Sequence, residues 1–262
     1  MNYQKVLILT GGSSGIGKAA VELFAAKGYK VYELSRHGES TDGITHIHCD
    51  VTDPAQCRSA VDHVIQTDGR LDVLVSNAGM GISGAIEFTT LEEARRQFDV
   101  NFFGSLNIAQ AAIPYMRKQQ GGTIIFVTSL MGLFSLPFQA FYSATKSALN
   151  SLALAMRNEL RPFGVKVTCL LPGDVKTGFT DARNKSMEGM DIYPHMQKAV
   201  STMEHDEQHG LSPESMAKEL YRLAEMKNPP CFSTIGFMYH VFVLLQRLLP
   251  TSWANYIISK MY

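Results

Sequence analysis

The chain has 262 residues, of which 45% are hydrophobic and 18% charged, an ordinary composition for a soluble globular protein. Lys and Arg together number 24, as do Asp and Glu, so the formal net charge is zero. This balance argues against a nucleic-acid partner, because such proteins usually carry a basic excess. The length fits one large α/β domain with a sizeable core.

The sequence also limits the cellular setting that we expect. No uninterrupted apolar run reaches about 18 residues, which predicts no membrane span. The first residues enter a strand pattern directly and show no features of a signal peptide. The four cysteines are far apart and form no CxxC pair, which favours reduced thiols, a cytoplasmic location and no metal site.

Short β-branched runs alternate with helical stretches along the chain. The predicted strands are 5–10, 30–35, 45–51, 72–79, 123–129, 166–173 and 231–236. The predicted helices are 15–27, 54–67, 91–118, 141–162 and 213–226. The alternation predicts an α/β fold: a Rossmann-type, doubly wound, seven-stranded parallel sheet with helices on both faces, in a single domain covering 1–262.

Two segments fall outside this alternation. Residues 178–212 contain no predicted strand and several methionines, and a long segment after a strand's carboxyl end is typical of a substrate lid. Residues 237–262 extend past the last strand, and Pro250 divides them into two predicted helices. These helices could pack over a substrate cleft, form a subunit contact or touch a membrane surface peripherally.

The stretch TGGSSGIG, residues 10–17, follows the first strand and opens the first helix. Small residues there allow close approach of a pyrophosphate, and the helix N-terminus supplies free N–H groups. The spacing of Gly11, Gly15 and Gly17 differs from the common G-x-G-x-x-G pattern, and a tight turn without a ligand is the alternative. Its position at the first βα junction favours a dinucleotide site.

The end of the second predicted strand bears on cofactor choice. Ser35 occupies the position where an acid usually meets the ribose hydroxyls, and Arg36 follows it. A guanidinium favours a 2′-phosphate, which predicts NADP(H) over NAD(H). Arg36 could instead be a solvated surface residue. Glu33 is an acid on the same strand as Ser35, so an exception to this preference for NADP(H) stays open.

Tyr142 and Lys146 are four residues apart near the start of a predicted helix, so both can face one target. A neighbouring ammonium favours the phenolate, which would make Tyr142 an acid–base group for an alcohol or ketone. Ser129 ends the preceding strand and could hold the substrate oxygen. Asn101 lies in the middle of the predicted helix 91–118, where a kink could carry a water chain to Lys146. The alternative for the pair is a tyrosine beside a snorkelling lysine.

These motifs together resemble the short-chain dehydrogenase/reductase family. The matching pieces are TGGSSGIG, CDV (49–51), NAG (77–79), VNFFG (100–104), Ser129, YSATK (142–146) and PGDVKT (172–177), in family order over about residues 5 to 180. The resemblance implies the catalytic residues Tyr142, Lys146, Ser129 and Asn101. It implies cofactor contacts from the glycine turn (Gly11, Ser13, Ser14, Gly15, Ile16, Gly17), around the adenine (Asp50, Val51), beside the nicotinamide (Asn77, Ala78, Gly79, Tyr142, Lys146) and at its carboxamide (Pro172, Gly173, Val175, Thr177).

A narrower similarity extends over residues 129–152, which resemble the same region of hydroxysteroid and retinol dehydrogenases. We therefore expect an NADP(H)-dependent oxidoreductase acting on a secondary alcohol or ketone of an apolar, steroid-like or lipid-like substrate. The alternatives are a 3-oxoacyl thioester reductase, with Arg183 and Lys185 as the basic cluster that would meet an acyl carrier, and a non-catalytic nucleotide sensor. The family resemblance also implies a homodimer or homotetramer paired through about 91–118 and 141–162.

Overall fold

A computed structural model describes residues 4–261 of the chain. Its main sheet has seven parallel strands in the order β3-β2-β1-β4-β6-β7-β9, which confirms the predicted fold class. The strands are β1 (Val6–Thr10), β2 (Lys30–Ser35), β3 (Ile44–His48), β4 (Val73–Ser76), β6 (Gly122–Val127), β7 (Val165–Leu170) and β9 (Phe232–Ser233). The order reverses between β1 and β4, and a crevice at such a point is where open α/β sheets bind ligands.

Helices cover both faces of the sheet, so β1 and β4 are buried along their whole length. One face carries α1 (Gly15–Ala26) and α8 (Pro213–Glu225), whose apolar residues join one core cluster. The other carries α2 (Pro54–Asp68), α4 (Gly104–Gln119) and α5 (Ala140–Leu160), which join a second cluster. Single 3-10 turns lie at Ile86–Phe88, Leu130–Gly132 and Arg161–Phe163.

Local signals in the sequence fix several helix ends. The Asp53 carboxylate accepts hydrogen bonds from the backbone N–H groups of Ala55 and Gln56, and Pro54 occupies the first turn of α2. Gly69 ends the same helix with a φ of 71°. Thr90 and Glu93 form a capping box at the start of α3 (Leu91–Phe98).

The predicted helix 91–118 is not a single α-helix. It comprises α3, a π-helical turn at Asp99–Phe103, and α4. A π turn inserts one extra residue, and the 3.6-residue periodicity on both sides conceals it in the sequence. The turn contains Asn101, which it directs into the protein interior.

The segment 178–212 was expected to lack strands, and the structure corrects this. It contains α6 (Phe179–Ala182), β8 (Asn184–Lys185) and α7 (Met196–Gln208). The short β8 pairs in parallel with β5 (Ile82–Ser83), forming a second, two-stranded sheet. A two-residue strand made of Asn and Lys has no apolar pattern to indicate it.

The C-terminal segment forms α9 (Phe237–Leu248) and α10 (Thr251–Met261), which Pro250 separates. No helix within residues 4–261 combines the length and the apolar character needed to cross a bilayer. The four cysteines, Cys49, Cys57, Cys169 and Cys231, are free thiols.

Candidate active site

A cavity of about 890 Å³ opens at the carboxyl ends of β1, β4, β6 and β7, where the strand order reverses. It brings together 18 of the 20 residues that the sequence indicated. They are Gly11, Ser13, Ser14, Gly15, Ile16, Arg36, Asp50, Val51, Asn77, Ala78, Gly79, Ser129, Tyr142, Lys146, Pro172, Gly173, Val175 and Thr177. The other two, Gly17 and Asn101, lie behind the cavity wall.

The glycine turn forms one end of the cavity. Gly11 and Gly15 have φ values of 70° and 52°, a region that other residues rarely adopt. The residue before α1, Ser14, makes no side-chain hydrogen bond to the first turn of the helix. The N–H groups at this helix start therefore face the cavity without a side-chain cap, and they suit an anion such as a pyrophosphate.

Gly17 supports the turn from behind. A Cβ at this position would lie 2.1 Å from the carbonyl oxygen of Gly11 and 2.7 Å from Asn77 Nδ2. Asn77 Nδ2 itself donates to the carbonyl oxygens of Thr10 and Gly11, at 3.1 and 3.0 Å. Gly17 is thus required for close packing of α1 on the turn rather than for direct contact with the cavity.

Two charged residues near the end of β2, Glu33 and Arg36, occupy different environments. Glu33 is buried and accepts hydrogen bonds from Gly12 N at 2.9 Å and Ser35 Oγ at 3.2 Å, and its other contact is His46 Nδ1 at 2.5 Å. Arg36 is exposed and lines the cavity, whereas Glu33 does not. The Glu33 carboxylate, which left open an exception to the NADP(H) preference, is therefore hydrogen-bonded beneath the glycine turn. The cavity presents the Arg36 guanidinium instead.

Tyr142, Lys146 and Ser129 converge on the other end of the cavity. Lys146 Nζ lies 5.6 Å from the centre of the Tyr142 ring and donates to the carbonyl oxygen of Val127 at 3.0 Å. Ser129 sits just past the end of β6, and its Oγ accepts from Met131 N at 3.1 Å. A phenol, a cation and a hydroxyl thus share one wall.

Burial dominates the titration of both groups. It raises the pKa of Tyr142 to about 12, although the cation Arg183 and the Ser129 hydroxyl act to lower it. Burial also lowers the pKa of Lys146 to about 8. We expected Lys146 to shift the phenol toward the phenolate, but the net shift of the Tyr142 pKa is upward, because removal from water outweighs the nearby charges.

Asn101 reaches the site from the π-helical turn. Its Oδ1 accepts from Met80 N at 2.8 Å, and its Nδ2 donates to Met80 O at 2.9 Å and to Thr145 Oγ1 at 3.2 Å. A Cβ at Gly79 would lie 3.3 Å from Asn101 Oδ1 and 3.8 Å from Lys146 Nζ. Asn101 therefore connects the loop after β4 to α5, immediately behind Lys146.

The sequence did not reveal an ion pair between Arg183 and Glu207. Both side chains are buried, and Thr180 Oγ1 donates to Glu207 Oε2 at 2.6 Å. Lys185 pairs with Glu204 at 2.5 Å. Arg183 and Lys185, interpreted from sequence as a basic cluster at the cleft mouth, are therefore neutralised by α7. The available signal for these pairs in the sequence was the three-residue spacing of Glu204 and Glu207 on an amphipathic helix.

The wall around Ser129 and Tyr142 is largely apolar. The Phe179 ring lies 5.9 Å from the Tyr142 ring. The loop after β6 and the two C-terminal helices supply the rest of this wall, namely Leu130, Met131, Phe134, Leu136, Phe242, Leu245, Leu249, Ile257 and Ile258. An apolar compartment beside a few polar groups is the usual form of a small-molecule site.

Comparison with known proteins agrees with this geometry. The model of the short chain dehydrogenase family matches residues 5–188. The 3-ketodihydrosphingosine reductase of Bacteroides thetaiotaomicron is 36% identical over 263 aligned residues, which cover 98% of each chain. The chain therefore belongs to the short-chain dehydrogenase/reductase family and is an oxidoreductase.

Solved structures share the whole fold. A short-chain dehydrogenase from Streptomyces avermitilis superposes with a TM-score of 0.84 at 30% identity, over 96% of each chain. ElxO with NADP bound gives 0.77 at 26% identity, over 91% of this chain and all of that one (100%). A 3-ketoacyl-(acyl-carrier-protein) reductase from Brucella melitensis complexed with NADH gives 0.72 at 25% identity, over 88% and 96%. These neighbours indicate a nicotinamide cofactor.

Proposed function

We propose that this protein is an NADP(H)-dependent oxidoreductase that interconverts a ketone and a secondary alcohol on an apolar, lipid-like substrate. The observation that carries the proposal is one cavity with two unlike ends. The glycine turn and Arg36 line one end, while Ser129, Tyr142 and apolar side chains line the other. A charged dinucleotide and an apolar ketone would thus meet beside the Tyr142 hydroxyl.

The cavity fits the cofactor at each part of its length. The uncapped start of α1 suits the pyrophosphate, Arg36 suits a 2′-phosphate, and Asp50 and Val51, which also line the cavity, would flank the adenine. The cavity is also lined by two groups that would hold the nicotinamide, namely Asn77, Ala78 and Gly79, and Pro172, Gly173, Val175 and Thr177. When bound, the nicotinamide supplies or accepts the hydride.

The protein's own groups handle the proton. With a pKa of about 12, the Tyr142 phenol is protonated near neutral pH, the form that donates to a ketone oxygen as the alcohol forms. Ser129 Oγ would hold that oxygen through a hydrogen bond. Lys146 would orient the nicotinamide ribose and, with Asn101 behind it, return a proton to Tyr142.

A long-chain ketone suits the apolar compartment better than an acyl-carrier thioester. Arg183 and Lys185 are engaged by Glu207 and Glu204 and offer no free basic pair to an acidic carrier protein. The relative that reduces 3-ketodihydrosphingosine, by its name, supports a lipid-like substrate. A steroid of similar apolar character remains within the proposed substrate class. The proposal also includes subunits that pair through α4 and α5.

The test is NADPH oxidation by the purified protein with 3-ketodihydrosphingosine, a ketosteroid and a 3-oxoacyl thioester. We expect turnover with an apolar ketone. Tyr142→Phe should lower kcat by roughly 10²- to 10⁴-fold, the usual contribution of a positioned acid, while NADPH binding by fluorescence titration is retained.

Tyr221→Phe is the matched control, because Tyr221 packs on α1 at the opposite side of the sheet. It should leave kcat unchanged. Full activity of Tyr142→Phe would refute the catalytic assignment. Absence of turnover with every ketone, together with tight NADPH binding, would instead support a nucleotide sensor.

A further inference from the structure

The outward faces of α9 and α10 are apolar and face solvent. The helical spacing places Tyr239, Phe242, Val243 and Gln246 on one side of α9, and these residues contact the body of the protein. The opposite side of the helix is also apolar. The docking face, as we call it, consists of Phe237, Val241, Leu244 and Leu248 on α9 and Trp253 and Tyr256 on α10.

This exposure is large for a water-facing surface. Phe237 is 82% exposed, Leu248 70%, Trp253 66% and Tyr256 63%. Scattered apolar residues are normal on protein surfaces, but a contiguous patch of this kind marks an interaction site. A helix that is apolar on both sides can bury only one side against its own protein. The other side therefore indicates a second apolar environment outside the protein.

The charge of the same segment indicates what that environment is. Glu225 is the last acidic residue of the chain, so α9 and α10 carry Arg247 and Lys260 without any carboxylate. The rest of the chain is correspondingly acidic, because the total charge is zero. Cations beside an apolar face, with Trp and Tyr among its members, match the interface of an anionic lipid bilayer.

A second copy of this chain fits the face less well. A two-fold symmetric contact would place the same surface on both sides, and no acid of α9 or α10 would then be available to pair with the cations. Lys260 Nζ lies 5.5 Å from the centre of the Tyr256 ring, at the edge of the docking face, where a lipid phosphate could reach it.

The docking face is continuous with the active-site cavity. Leu245 on α9, Leu249 directly after it, and Ile257 and Met261 on α10 line the cavity, and they neighbour docking-face residues of the same segment. An apolar chain could therefore pass from the lipid phase to Tyr142 along apolar side chains, without crossing open water.

We propose that α9 and α10 lie in the interface of an anionic bilayer. A membrane-resident substrate would then pass along these helices into the active-site cavity. The docking itself is independent of the proposed function, whereas the delivery of substrate rests on it. No spanning segment is required, since each helix binds with one face in the interface plane.

The test is co-sedimentation of the full chain with vesicles. We expect binding to phosphatidylcholine vesicles containing phosphatidylglycerol, and weaker binding to phosphatidylcholine alone. A Leu248→Gln, Trp253→Ser double variant should bind at least about tenfold more weakly, because two large apolar side chains no longer enter the lipid. Arg247→Gln with Lys260→Gln should remove the preference for the anionic vesicles.

Leu91→Gln is the matched control, because Leu91 is an exposed leucine on α3 away from these helices, and it should sediment like the wild type. Failure of the wild type to sediment with either vesicle, or equal sedimentation of the double variant, would overturn the proposal. So would light scattering that shows a dimer in the wild type and a monomer in the double variant, without vesicle binding.

Activity separates docking from catalysis. Leu248 and Trp253 do not line the cavity, so the double variant should reduce a short, water-soluble ketone at the wild-type rate. It should lose turnover only with a long-chain ketone presented in vesicles. Vesicle binding without any NADPH-dependent turnover would leave the docking face supported and the proposed function refuted.

Discussion

Lys146 is a buried cation whose environment opposes its charge. Its Nζ contacts the carbonyl oxygen of Val127 and the face of the Tyr142 ring, and burial lowers its pKa to about 8. In the unfolded chain the pKa of lysine is about 10.4. Without nucleotide, the folded state therefore carries the cost of an enclosed ammonium at neutral pH. A bound dinucleotide would partly relieve this cost through its negative charge.

The sign of the pH dependence follows from these two values. Between about pH 8 and pH 10.5 the folded protein has released the Lys146 proton and the unfolded chain has not, so the free energy of unfolding rises with pH. The gain is at most about 3 kcal/mol. Lys146→Met should abolish it in urea unfolding without nucleotide, whereas Lys118→Met, on the exposed end of α4, should not. Parallel pH curves for wild type and Lys146→Met would contradict this account.

Arg36 presents an exposed guanidinium to the cavity, and the proposed preference for NADP(H) rests on it. Arg36→Asp should raise the KM for NADPH by about 10- to 100-fold, since charged hydrogen bonds to the 2′-phosphate are lost and a like charge replaces them. The KM for NADH should stay constant or fall. Arg58→Asp on α2, outside the cavity, is the control. An unchanged KM for NADPH in Arg36→Asp would exclude the 2′-phosphate contact.

Among the secondary-structure elements, the π-helical turn at Asp99–Phe103 most directly positions the site. Because it adds one residue to the helical path, Asn101 points inward and makes three hydrogen bonds to Met80 and Thr145. The loop after β4, which would face the nicotinamide, is thereby fixed to the helix that bears Tyr142.

Replacement of Asn101 should therefore affect both stability and turnover. Asn101→Ala leaves the Met80 N–H without its partner and the Met80 carbonyl with only the 3.4 Å bond from Gln97 Nε2, and we expect a loss of about 1–3 kcal/mol in urea unfolding. Asn101→Asp can accept from Met80 N but cannot donate to Met80 O, so it should lie between the two. Asn255→Ala, exposed on α10, is the control. Equal stability of Asn101→Ala and wild type would show that these bonds are not structural.

The elements also show which parts of the sequence were informative. Strands with continuous apolar runs and helices with clear caps, such as α2 after Asp53, were predicted within a few residues. The π turn was not, because one inserted residue barely changes the periodicity on either side. Neither was β8, since its pairing with β5 depends on where the segment 178–212 folds back. Most of the motif residues line one cavity, because backbone geometry, rather than distant packing, fixes their spacing.

The molecule as a whole encloses its cavity between three parts: the carboxyl edge of the sheet, the segment 178–212 and the C-terminal helices. Glu207 on α7 joins Arg183 and Thr180, and Tyr239 on α9 donates to Asp174 Oδ2 at 2.8 Å in the loop after β7. Each of these contacts joins distant segments of the chain, and for those of Glu207 the spacing of the acids on α7 was the available sign in the sequence. They hold the cover of the cavity in place.

The Arg183–Glu207 pair links this cover to the Tyr142 phenol. Arg183 lowers the pKa of Tyr142 and Glu207 raises it, so the two charges act on one proton in opposite directions. Arg183→Met and Glu207→Met should each lose about 3–5 kcal/mol in urea unfolding, because each leaves an uncompensated buried charge, whereas the double variant should recover most of that loss.

A purely structural pair would give the same pH profile of turnover in both single variants. If the pair acts on the Tyr142 proton, the two variants should have different pH profiles. In ketone reduction, Arg183→Met should move the alkaline limb of kcat/KM to higher pH, since the phenol loses a stabilising cation for its charged form. Glu207→Met should move it to lower pH, and the double variant should lie between the two. Shifts in the same direction, or none, would show that the pair closes the cover without influencing Tyr142.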